Sequence, residues 1–284
     1  MFDDLIKGAT LLITGGTGSL GRAIVEEALK HDPRAIRLVS RNEYLQVNMR
    51  RALADSRLRF MIADIRDAER LEAVMQRVDF VIHAAALKHV LTGETNPQEV
   101  VKTNVMGSTN IIDVAFKCKV SRVLGVSSDK AVMPVSLYGM TKGVMEKIFI
   151  EANRWAAPNT IFSIMRCGNF FESSGNVFEV WDEQAKTGKI TLTDEGMWRY
   201  FIDIKEAARF ALECLTLMAG GETFIPKMKE YSMLELAKAN YPGCEIVITG
   251  KGDGERLHEP LFAEGEQPEE YPTYYVIDNL KGDL

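Results

Sequence analysis

One short stretch of the chain, VSSDKAVMPVSLYGMTK, holds side chains that suit acid–base chemistry. Tyr138 and Lys142 are spaced i and i+4, so they share one face of a helix. A phenol, with an ordinary pKa of about 10, needs a neighbouring cation to ionise closer to neutral pH, and Lys142 offers one. Ser128 adds a hydroxyl upstream, and Asp129 with Lys130 adds a further acid and base. The stretch predicts an acid–base site; the alternative for the Asp-Lys pair is a surface turn.

A glycine-rich segment near the N-terminus predicts a dinucleotide-binding loop. In ITGGTGSLGRAIVEEAL, Gly15, Gly18 and Gly21 have the spacing G-x-x-G-x-x-G where a predicted strand meets a predicted helix. Such glycines let the backbone approach a pyrophosphate, which rests on the helix N-terminus. A tight turn without a ligand is the alternative, but the strand–loop–helix context favours binding. The loop residues expected to contact the cofactor are Gly15, Thr17, Gly18, Ser19, Leu20 and Gly21.

The end of the second predicted strand favours NADP over NAD. Ser40 and Arg41 stand where an acidic residue would bind the ribose 2'-hydroxyl of NAD. A hydroxyl and a guanidinium suit a 2'-phosphate instead, and Arg22 adds positive charge. The alternative for Arg41 is a solvated surface charge.

Two further strand ends are expected to line the cofactor. Asp64 is predicted to accept a hydrogen bond from the adenine amino group, with Ile65 against the ring. The alternative for Asp64 is a helix N-cap, a role that Asp67 could serve instead. The fourth strand ends in small residues that leave room for a cofactor to cross, namely Ala84, Ala85 and Ala86.

Short apolar runs alternate with helical segments over the first part of the chain. The runs are 9–15, 35–40, 58–63, 79–86, 121–128 and 160–166, and the helical segments are 19–31, 42–55, 67–77, 96–118 and 138–156. Runs that are apolar along their length are typical of strands buried on both faces of a parallel sheet. The alternation predicts right-handed βαβ units and an α/β fold with a doubly wound parallel sheet of Rossmann type.

The alternation weakens after residue 166, which predicts a second, smaller, mixed α/β region. An amphipathic helix is expected at 203–220, and the tail from 264 is acidic and contains proline. We expect an NADP-binding domain at 1–166. Residues 167–284 are expected to be mainly a substrate-binding region, with about 200–220 packing back on the first domain.

Composition excludes several classes of protein. A chain of 284 residues with 46% apolar content can bury a sizeable core. A net charge of −6 without a basic run argues against nucleic-acid binding. Scattered cysteines predict neither a zinc site nor a disulfide framework, so no metal is expected and a reducing cytoplasm fits. No long apolar run predicts a membrane span, and the acidic N-terminus is not typical of a signal peptide.

Together, the glycine loop, Ser128 and the Tyr138-x-x-x-Lys142 pattern resemble the extended short-chain dehydrogenase/reductases. Ser-Asp-Lys before Y-x-x-x-K is similar to the inverting UDP-N-acetylglucosamine 4,6-dehydratases. Other segments agree over roughly residues 9–262: TGGTGSLG, HAAALKHV, NPQEVVKTNVMGSTNIIDVA, RCGN, LTDEGMWRYFI and GERLHE. The resemblance implies a nucleotide-diphosphosugar substrate, a homo-oligomer and a place in polysaccharide biosynthesis.

The resemblance also implies a role for each catalytic residue. Tyr138 takes the proton of the sugar 4-hydroxyl while hydride leaves C4 for NADP+, and Lys142 binds the nicotinamide ribose. Lys130 then removes the C5 proton, and Asp129 protonates the departing 6-hydroxyl. Ser128 hydrogen-bonds the sugar. Hydride return to C6 gives a 4-keto-6-deoxy sugar, and protonation of C5 from the opposite face gives inversion.

Four positions are implied to bind the substrate. Arg199 matches the family arginine that binds the nucleotide diphosphate, and Asn169 resembles a substrate or diphosphate contact. Glu255 is expected to accept from the nucleotide ribose. Lys88 is expected to reach the active-site loop, although an exposed lysine is the alternative.

Three departures from the family pattern lie on the substrate side. Gly252 stands where an arginine is expected, Trp198 replaces a small hydroxyl residue, and Cys167 replaces a tyrosine. They leave undecided the identity of the nucleotide and of the substituent at C2 of the sugar.

Two other functions remain as alternatives. A nucleotide-sugar epimerase or ketoreductase would use the same fold, but a plain C4 epimerase needs no acid–base pair for elimination. A non-catalytic NADP-binding regulatory protein would not need an intact Ser128, Tyr138 and Lys142.

Overall fold

The computed structural model describes residues 3–155, 159–252 and 254–281. Within this part the helices are α1 Asp3–Ile6, α2 Ser19–Ala28, α3 Glu43–Leu53, α4 Ala68–Met75, α5 Val90–Thr95, α6 Pro97–Val100, α7 Gly107–Cys118, α8 Leu137–Trp155, α9 Val177–Ala185, α10 Ile204–Leu217 and α11 Met233–Asn240. The strands are β1 Thr10–Thr14, β2 Ala35–Ser40, β3 Leu58–Ile62, β4 Phe80–His83, β5 Arg122–Ser128, β6 Ile161–Cys167, β7 Asn169–Phe170, β8 Lys189–Leu192, β9 Trp198–Ile202, β10 Glu222–Pro226, β11 Lys229–Ser232, β12 Glu245–Ile248, β13 Glu269–Glu270 and β14 Tyr274–Asp278. The predicted end of the helix at residue 156 lies outside the described residues.

A large sheet forms the centre of the molecule. Among the described residues its strand order is β13-β14-β10-β6-β5-β4-β1-β2-β3. Strands β1 to β6 and β10 run parallel, whereas β14 pairs antiparallel with β10. The order reverses between β1 and β4, and crevices at such switch points bind ligands at the carboxyl ends of the strands. The predicted α/β class and doubly wound parallel sheet are confirmed.

Apolar side chains from both faces of the sheet are buried under helices. On one face, Ile24 of α2 and Ala211 of α10 are fully buried in a cluster with strand residues such as Ile13. On the other, Ile111 of α7 and Phe149 of α8 pack in a second cluster. Strands covered on both sides account for their continuous apolar runs.

The remaining elements form two small sheets around a separate core. The order β11-β9-β7 makes one sheet, and β8 pairs with β12 in the other. Trp181 of α9 is fully buried there, and its indole N–H donates to Thr191 O at 2.6 Å. This region supplies Asn169 at the start of β7 and Arg199 in β9.

The chain after residue 166 does more than pack helix α10 against the first region, because it also adds strands to the large sheet. Helix α10 packs against α2, but β10, β13 and β14 also join the sheet. The strand β14 was not predicted, because its YYVID run lies in a tail of prolines and acidic residues. The division at residue 166 stays a prediction.

A π-helical turn at Val101–Met106 interrupts the predicted helix 96–118. Asn104 in this turn accepts from Leu87 N at 2.8 Å and donates to Leu87 O at 3.0 Å. It also donates to Thr141 Oγ1 of α8 at 3.1 Å. The turn therefore ties the segment after β4 to the helix that carries Tyr138 and Lys142. Of the helices in the described ranges, none has the length and apolarity needed to cross a membrane.

Candidate active site

The glycine loop between β1 and α2 has the shape of a phosphate cradle. Gly15 has a φ of 66°, and a Cβ there would lie 2.9 Å from Ala85 N. A Cβ on Gly21 would lie 2.3 Å from Gly15 O. Gly18 is the N-cap of α2 and offers no side-chain cap, so the first N–H groups of the helix stay available to an anion. Thr17 lies in the same turn, and Ser19 and Leu20 begin α2. The cradle fits a dinucleotide pyrophosphate.

The ends of β2 and β3 bring together the residues predicted to select the cofactor. Ser40 Oγ accepts from Gln46 Nε2 at 3.0 Å, and the guanidinium of Arg41 lies 3.6 Å from the carboxylate of Asp64. Although burial raises it, the pKa of Asp64 lies below its ordinary value because Arg66 and Arg41 stabilise the anion. The N-cap alternative for Asp64 is wrong, since Asp67 caps α4 by accepting from Arg70 N at 2.9 Å.

Hydrogen bonds order the end of β4 next to the cradle. His83 Nδ1 lies 2.7 Å from Thr14 Oγ1, and His83 Nε2 lies 3.0 Å from Ser108 Oγ. Burial lowers the pKa of His83 to about 3, so the ring is neutral and serves as a link between strands and α7. Thr14 Oγ1 also accepts from Ala85 N at 3.2 Å, which fixes the half-buried run Ala84, Ala85 and Ala86 beside the glycine loop. Ile65 is buried against Gly107.

Ser128, Asp129 and Lys130 form one hydrogen-bonded group at the end of β5. Asp129 is 0% exposed, and its Oδ1 accepts from Ser128 Oγ at 2.9 Å and from Lys130 Nζ at 3.1 Å. Its Oδ2 is buried and has no hydrogen-bond partner among the described residues. A buried carboxylate oxygen without a donor is costly unless a ligand hydroxyl pairs with it. The surface-turn alternative for Asp129 is therefore wrong.

Tyr138 and Lys142 lie on the first turns of α8, as their spacing predicts. Burial raises the pKa of Tyr138 to about 12, although its interaction with the Ser128 hydroxyl works in the opposite direction. Burial lowers the pKa of Lys142 to about 8, partly offset by Glu146. Lys142 Nζ donates to Val126 O of β5 at 2.6 Å. The phenol, the hydroxyl of Ser128 and the amine thus come together at the end of β5.

Three of the predicted substrate-binding residues, Arg199, Asn169 and Glu255, come from the second region. Arg199 is 9% exposed and donates to Trp198 O at 2.7 Å and to Leu257 O at 3.0 Å. A guanidinium has five N–H donors, so others remain for a ligand. Asn169 donates to Tyr200 O at 3.0 Å, and Glu255 accepts from Gly252 N at 3.0 Å.

Lys88 is exposed and contacts the loop before α9. Its Nζ donates to Ser174 O at 2.7 Å. Ser174 N in turn donates to Ser19 Oγ of the glycine loop at 2.9 Å. Ser174 therefore joins the loop before α9 to the glycine loop, and Lys88 ties the segment after β4 to the loop before α9.

Two charged residues beside the site were not assigned from the sequence. Glu259 is 6% exposed, and burial raises the pKa of its carboxyl; the charges around it are those of Lys130, Asp129, Arg199 and Arg256. Arg256 donates to Met133 O in the loop after Lys130. The motif GERLHE contains both residues, but its spacing alone does not show which carboxylate is buried.

The family model described as "Polysaccharide biosynthesis protein" matches residues 11–279 of the chain. The chain belongs to this polysaccharide biosynthesis protein family. Its fold is that of the extended short-chain dehydrogenase/reductases.

Two of the curated relatives that resemble this family member bear the names of different enzymes. It is 39% identical over 279 residues to a UDP-N-acetylglucosamine 4,6-dehydratase (inverting) of Campylobacter jejuni, covering 96% of this chain and 84% of the relative. It is also 39% identical over 280 residues to a protein of Rickettsia prowazekii named UDP-glucose 4-epimerase, covering 94% of this chain and 82% of the relative.

Solved structures of similar proteins share the fold of this family member. Pen from Bacillus thuringiensis superposes with a TM-score of 0.94 at 34% identity, covering 98% of this chain and 91% of Pen. DesIV, a dTDP-glucose 4,6-dehydratase from Streptomyces venezuelae solved with NAD and TYD bound, gives a TM-score of 0.80 at 23% identity, with coverage of 87% and 86%.

Proposed function

We propose that this protein is a nucleotide-sugar 4,6-dehydratase, a hydro-lyase acting on UDP-N-acetylglucosamine with inversion at C5. The similar proteins support the broader class of nucleotide-sugar dehydratases and epimerases. One observation favours the dehydratase: Asp129 is fully buried between Ser128 and Lys130, with its Oδ2 unpaired among the described residues. Elimination of water needs an acid and a base at this place, whereas epimerisation at C4 does not.

The proposed cofactor is NADP. The glycine cradle would hold its pyrophosphate, and Ser40 with Arg41 would hold the 2'-phosphate. The half-exposed Arg41 is long enough to turn from Asp64 towards such a phosphate, and a doubly charged phosphate would outcompete one carboxylate for it. When bound, the cofactor supplies a reversible hydride acceptor for the sugar carbon.

Tyr138 acts as the base on the sugar 4-hydroxyl. Its phenol is a poor base unless it ionises, and the ammonium of Lys142 on the same helix face stabilises the phenolate. Ser128 holds the sugar hydroxyl in line with the phenol.

Lys130 and Asp129 have separate roles in the elimination: Lys130 is the base and Asp129 is the acid. Once C4 is a ketone, the C5 proton is acidic enough for a neutral amine at Lys130 to remove it. A protonated Asp129 donates to the 6-hydroxyl as the C6–O bond breaks, and water leaves.

Arg199 and Asn169 are proposed to hold the diphosphate, and Glu255 the nucleotide ribose. Arg199 comes from β9 and Glu255 from the segment bonded to it through Leu257 O, so both sit on one rigid unit. A bidentate guanidinium–phosphate pair would orient the sugar towards β5.

An epimerase is the second candidate, because similar proteins bear that name. A single experiment separates the two. The purified protein is incubated with UDP-N-acetylglucosamine in heavy water, and the product is analysed by NMR and mass spectrometry. The dehydratase gives loss of one water, deuterium at C5 and an L-configured product. An unchanged mass with inverted C4 would show the epimerase.

The cofactor proposal has its own test. Replacing Arg41 by Ala should weaken NADP binding by roughly tenfold or more, the loss of one charge-assisted contact, and leave NAD binding unchanged. The exposed Arg51, near the end of α3, supplies the control Arg51→Ala. Equal loss of affinity for both dinucleotides would contradict the assignment of Arg41 to a 2'-phosphate.

A further inference from the structure

Glu259 is a buried carboxyl that the proposed chemistry does not use. It is 6% exposed, and no hydrogen-bond donor within the described ranges holds its carboxylate. Burial is the main influence on it and favours the protonated form. Lys130, Arg199 and Arg256 favour the charged form, while Asp129 opposes it.

The backbone around Glu259 is held from both sides of the site. Leu257 O accepts from Trp198 N of β9 at 2.8 Å, and Arg256 donates to Met133 O after β5. Gly254 packs against Ser136, where a Cβ would lie 3.2 Å from Ser136 Cβ. Glu259 is therefore fixed between the proposed diphosphate ligand Arg199 and the pair Asp129 and Lys130.

Other ionisable groups near Glu259 have partners of their own. His258 Nδ1 lies 3.1 Å from Glu230 Oε1, so that imidazole is engaged by another carboxylate. Burial raises the pKa of Tyr200 in β9, with Glu230, Tyr275 and Asp129 adding to the effect, so this phenol stays neutral near pH 7. The charge of Glu259 thus responds mainly to Arg199, Arg256, Lys130 and Asp129.

A nucleotide diphosphate at Arg199 would change this balance. Its two negative charges would cancel the attraction of Arg199 for the Glu259 carboxylate, and burial would then favour the acid. We propose that Glu259 takes up a proton from solvent when the diphosphate docks at Arg199, and so acts as a positioning residue that sets the charge around Lys130. The inference rests on the proposed function, because it requires a nucleotide diphosphate at Arg199.

The proposed uptake links substrate binding to the charge of the site. Before docking, the carboxylate of Glu259 is held among the charges of Arg199, Arg256 and Lys130. After docking, the neutral Glu259 adds no negative charge beside the one that the diphosphate brings. The added proton would therefore offset part of the charge that the substrate carries into the site.

Calorimetry of nucleotide binding tests the proposal without turnover. A Tyr138→Phe variant saturated with NADP+ is titrated with UDP-N-acetylglucosamine at pH 7 in Pipes and in Tris, which differ in ionisation enthalpy. The diphosphate of a nucleotide sugar has no group that titrates near neutral pH. We expect a net uptake of up to about one proton per nucleotide bound. Adding Glu259→Gln should abolish the uptake, and adding Glu259→Asp should retain it.

The control is Glu264→Gln, which removes an exposed carboxyl five residues along the same segment and should leave the uptake intact. Binding without proton uptake, or uptake that survives Glu259→Gln, would overturn the inference and leave the proposed function standing. Absence of binding by every UDP-, GDP- and dTDP-sugar tried would instead overturn the proposed function, and the docking step with it.

Discussion

The hydroxyl, carboxylate and amine of Ser128, Asp129 and Lys130 meet within hydrogen-bond distance at the end of β5. Asp129 Oδ1 takes both donors, which leaves Oδ2 for a ligand. Because the carboxylate is buried, its unpaired oxygen favours a ligand hydroxyl beside it. The proposed elimination therefore uses side chains that the chain order already places together.

Replacing Asp129 by Asn should separate deprotonation from loss of water. The amide cannot donate a proton to the 6-hydroxyl, so dehydration should fall by about 10²- to 10⁴-fold. Lys130 should still exchange the C5 proton, so substrate recovered from heavy water should carry deuterium without losing mass as water. Mass spectrometry measures both the deuterium content and the loss of water. The exposed Asp113→Asn is the control; equal loss of exchange and dehydration would contradict the division of roles.

The activity should rise with pH and then level off. In the active form, Tyr138 is a phenolate and Lys142 is an ammonium. This form carries one proton fewer than the form in which both side chains are protonated. That first proton is lost near the Lys142 pKa of about 8, and a second only near the Tyr138 pKa of about 12. Below about pH 8, kcat/KM should therefore rise about tenfold per pH unit and then form a plateau.

A cationic cofactor would move this rise to lower pH without changing its direction. The Lys142→Met variant should shift it towards the pKa of the phenol, measured as kcat/KM from pH 5.5 to 9.5. A rate that falls between pH 6 and 8 would count against Tyr138 as the base.

The turn between β1 and α2 is the element proposed to bind the cofactor. It brings the backbone of β1, β4 and α2 so close that side chains are excluded at Gly15 and Gly21. The first N–H groups of α2, capped by no side chain, then face the space above the sheet. The shape of the turn depends on residues near in sequence, but β4 lies close to the turn because it neighbours β1 in the sheet.

Replacing Gly21 by Ala should disrupt this turn. The added Cβ would lie 2.3 Å from Gly15 O, a backbone atom, so the loop must move. We expect dinucleotide affinity to fall by at least about tenfold and the melting temperature to drop. Gly243→Ala is the matched control, because nothing lies within 4 Å of the position that its added methyl group would take. Unchanged NADP binding by the Gly21 variant would argue against the cradle.

At the scale of the whole molecule, a buried ion cluster joins the C-terminal part to helix α8, which carries Tyr138 and Lys142. Arg166 of β6 is 3% exposed and bonds Glu146 of α8 at 2.8 Å and Glu266 at 2.9 Å. It also donates to Leu261 O at 2.9 Å. Since Glu146 influences Lys142, the cluster connects the segment after Glu259 with the acid–base group.

Replacing Arg166 by Met should destabilise the protein strongly. It would leave the buried carboxylate of Glu146 and the partly buried carboxylate of Glu266 without their partner, a change that costs about 3–5 kcal/mol of unfolding free energy. Urea unfolding measures the change in unfolding free energy. Lys186→Met, which breaks an exposed pair with Glu183, should change stability by no more than about 0.5 kcal/mol. Similar losses in both variants would refute the structural role of the cluster.

The sequence by itself determined the features that depend on near neighbours. Strands buried on both faces show as continuous apolar runs, so β1 to β6 were predicted close to their observed bounds. The i, i+4 spacing put Tyr138 and Lys142 on one helix face, and the glycine spacing predicted the tight loop.

Only the tertiary structure decided which distant residues meet. Arg166 and Glu266 are 100 positions apart. Glu259 is buried near Lys130 because the segment that carries it packs against both β9 and the loop after β5. β14 joins the sheet by pairing with β10, although its own flanks are typical of a loop. Such contacts follow from the burial of whole elements and from the need to pair buried charges, and no local pattern of residues records which partners will be chosen.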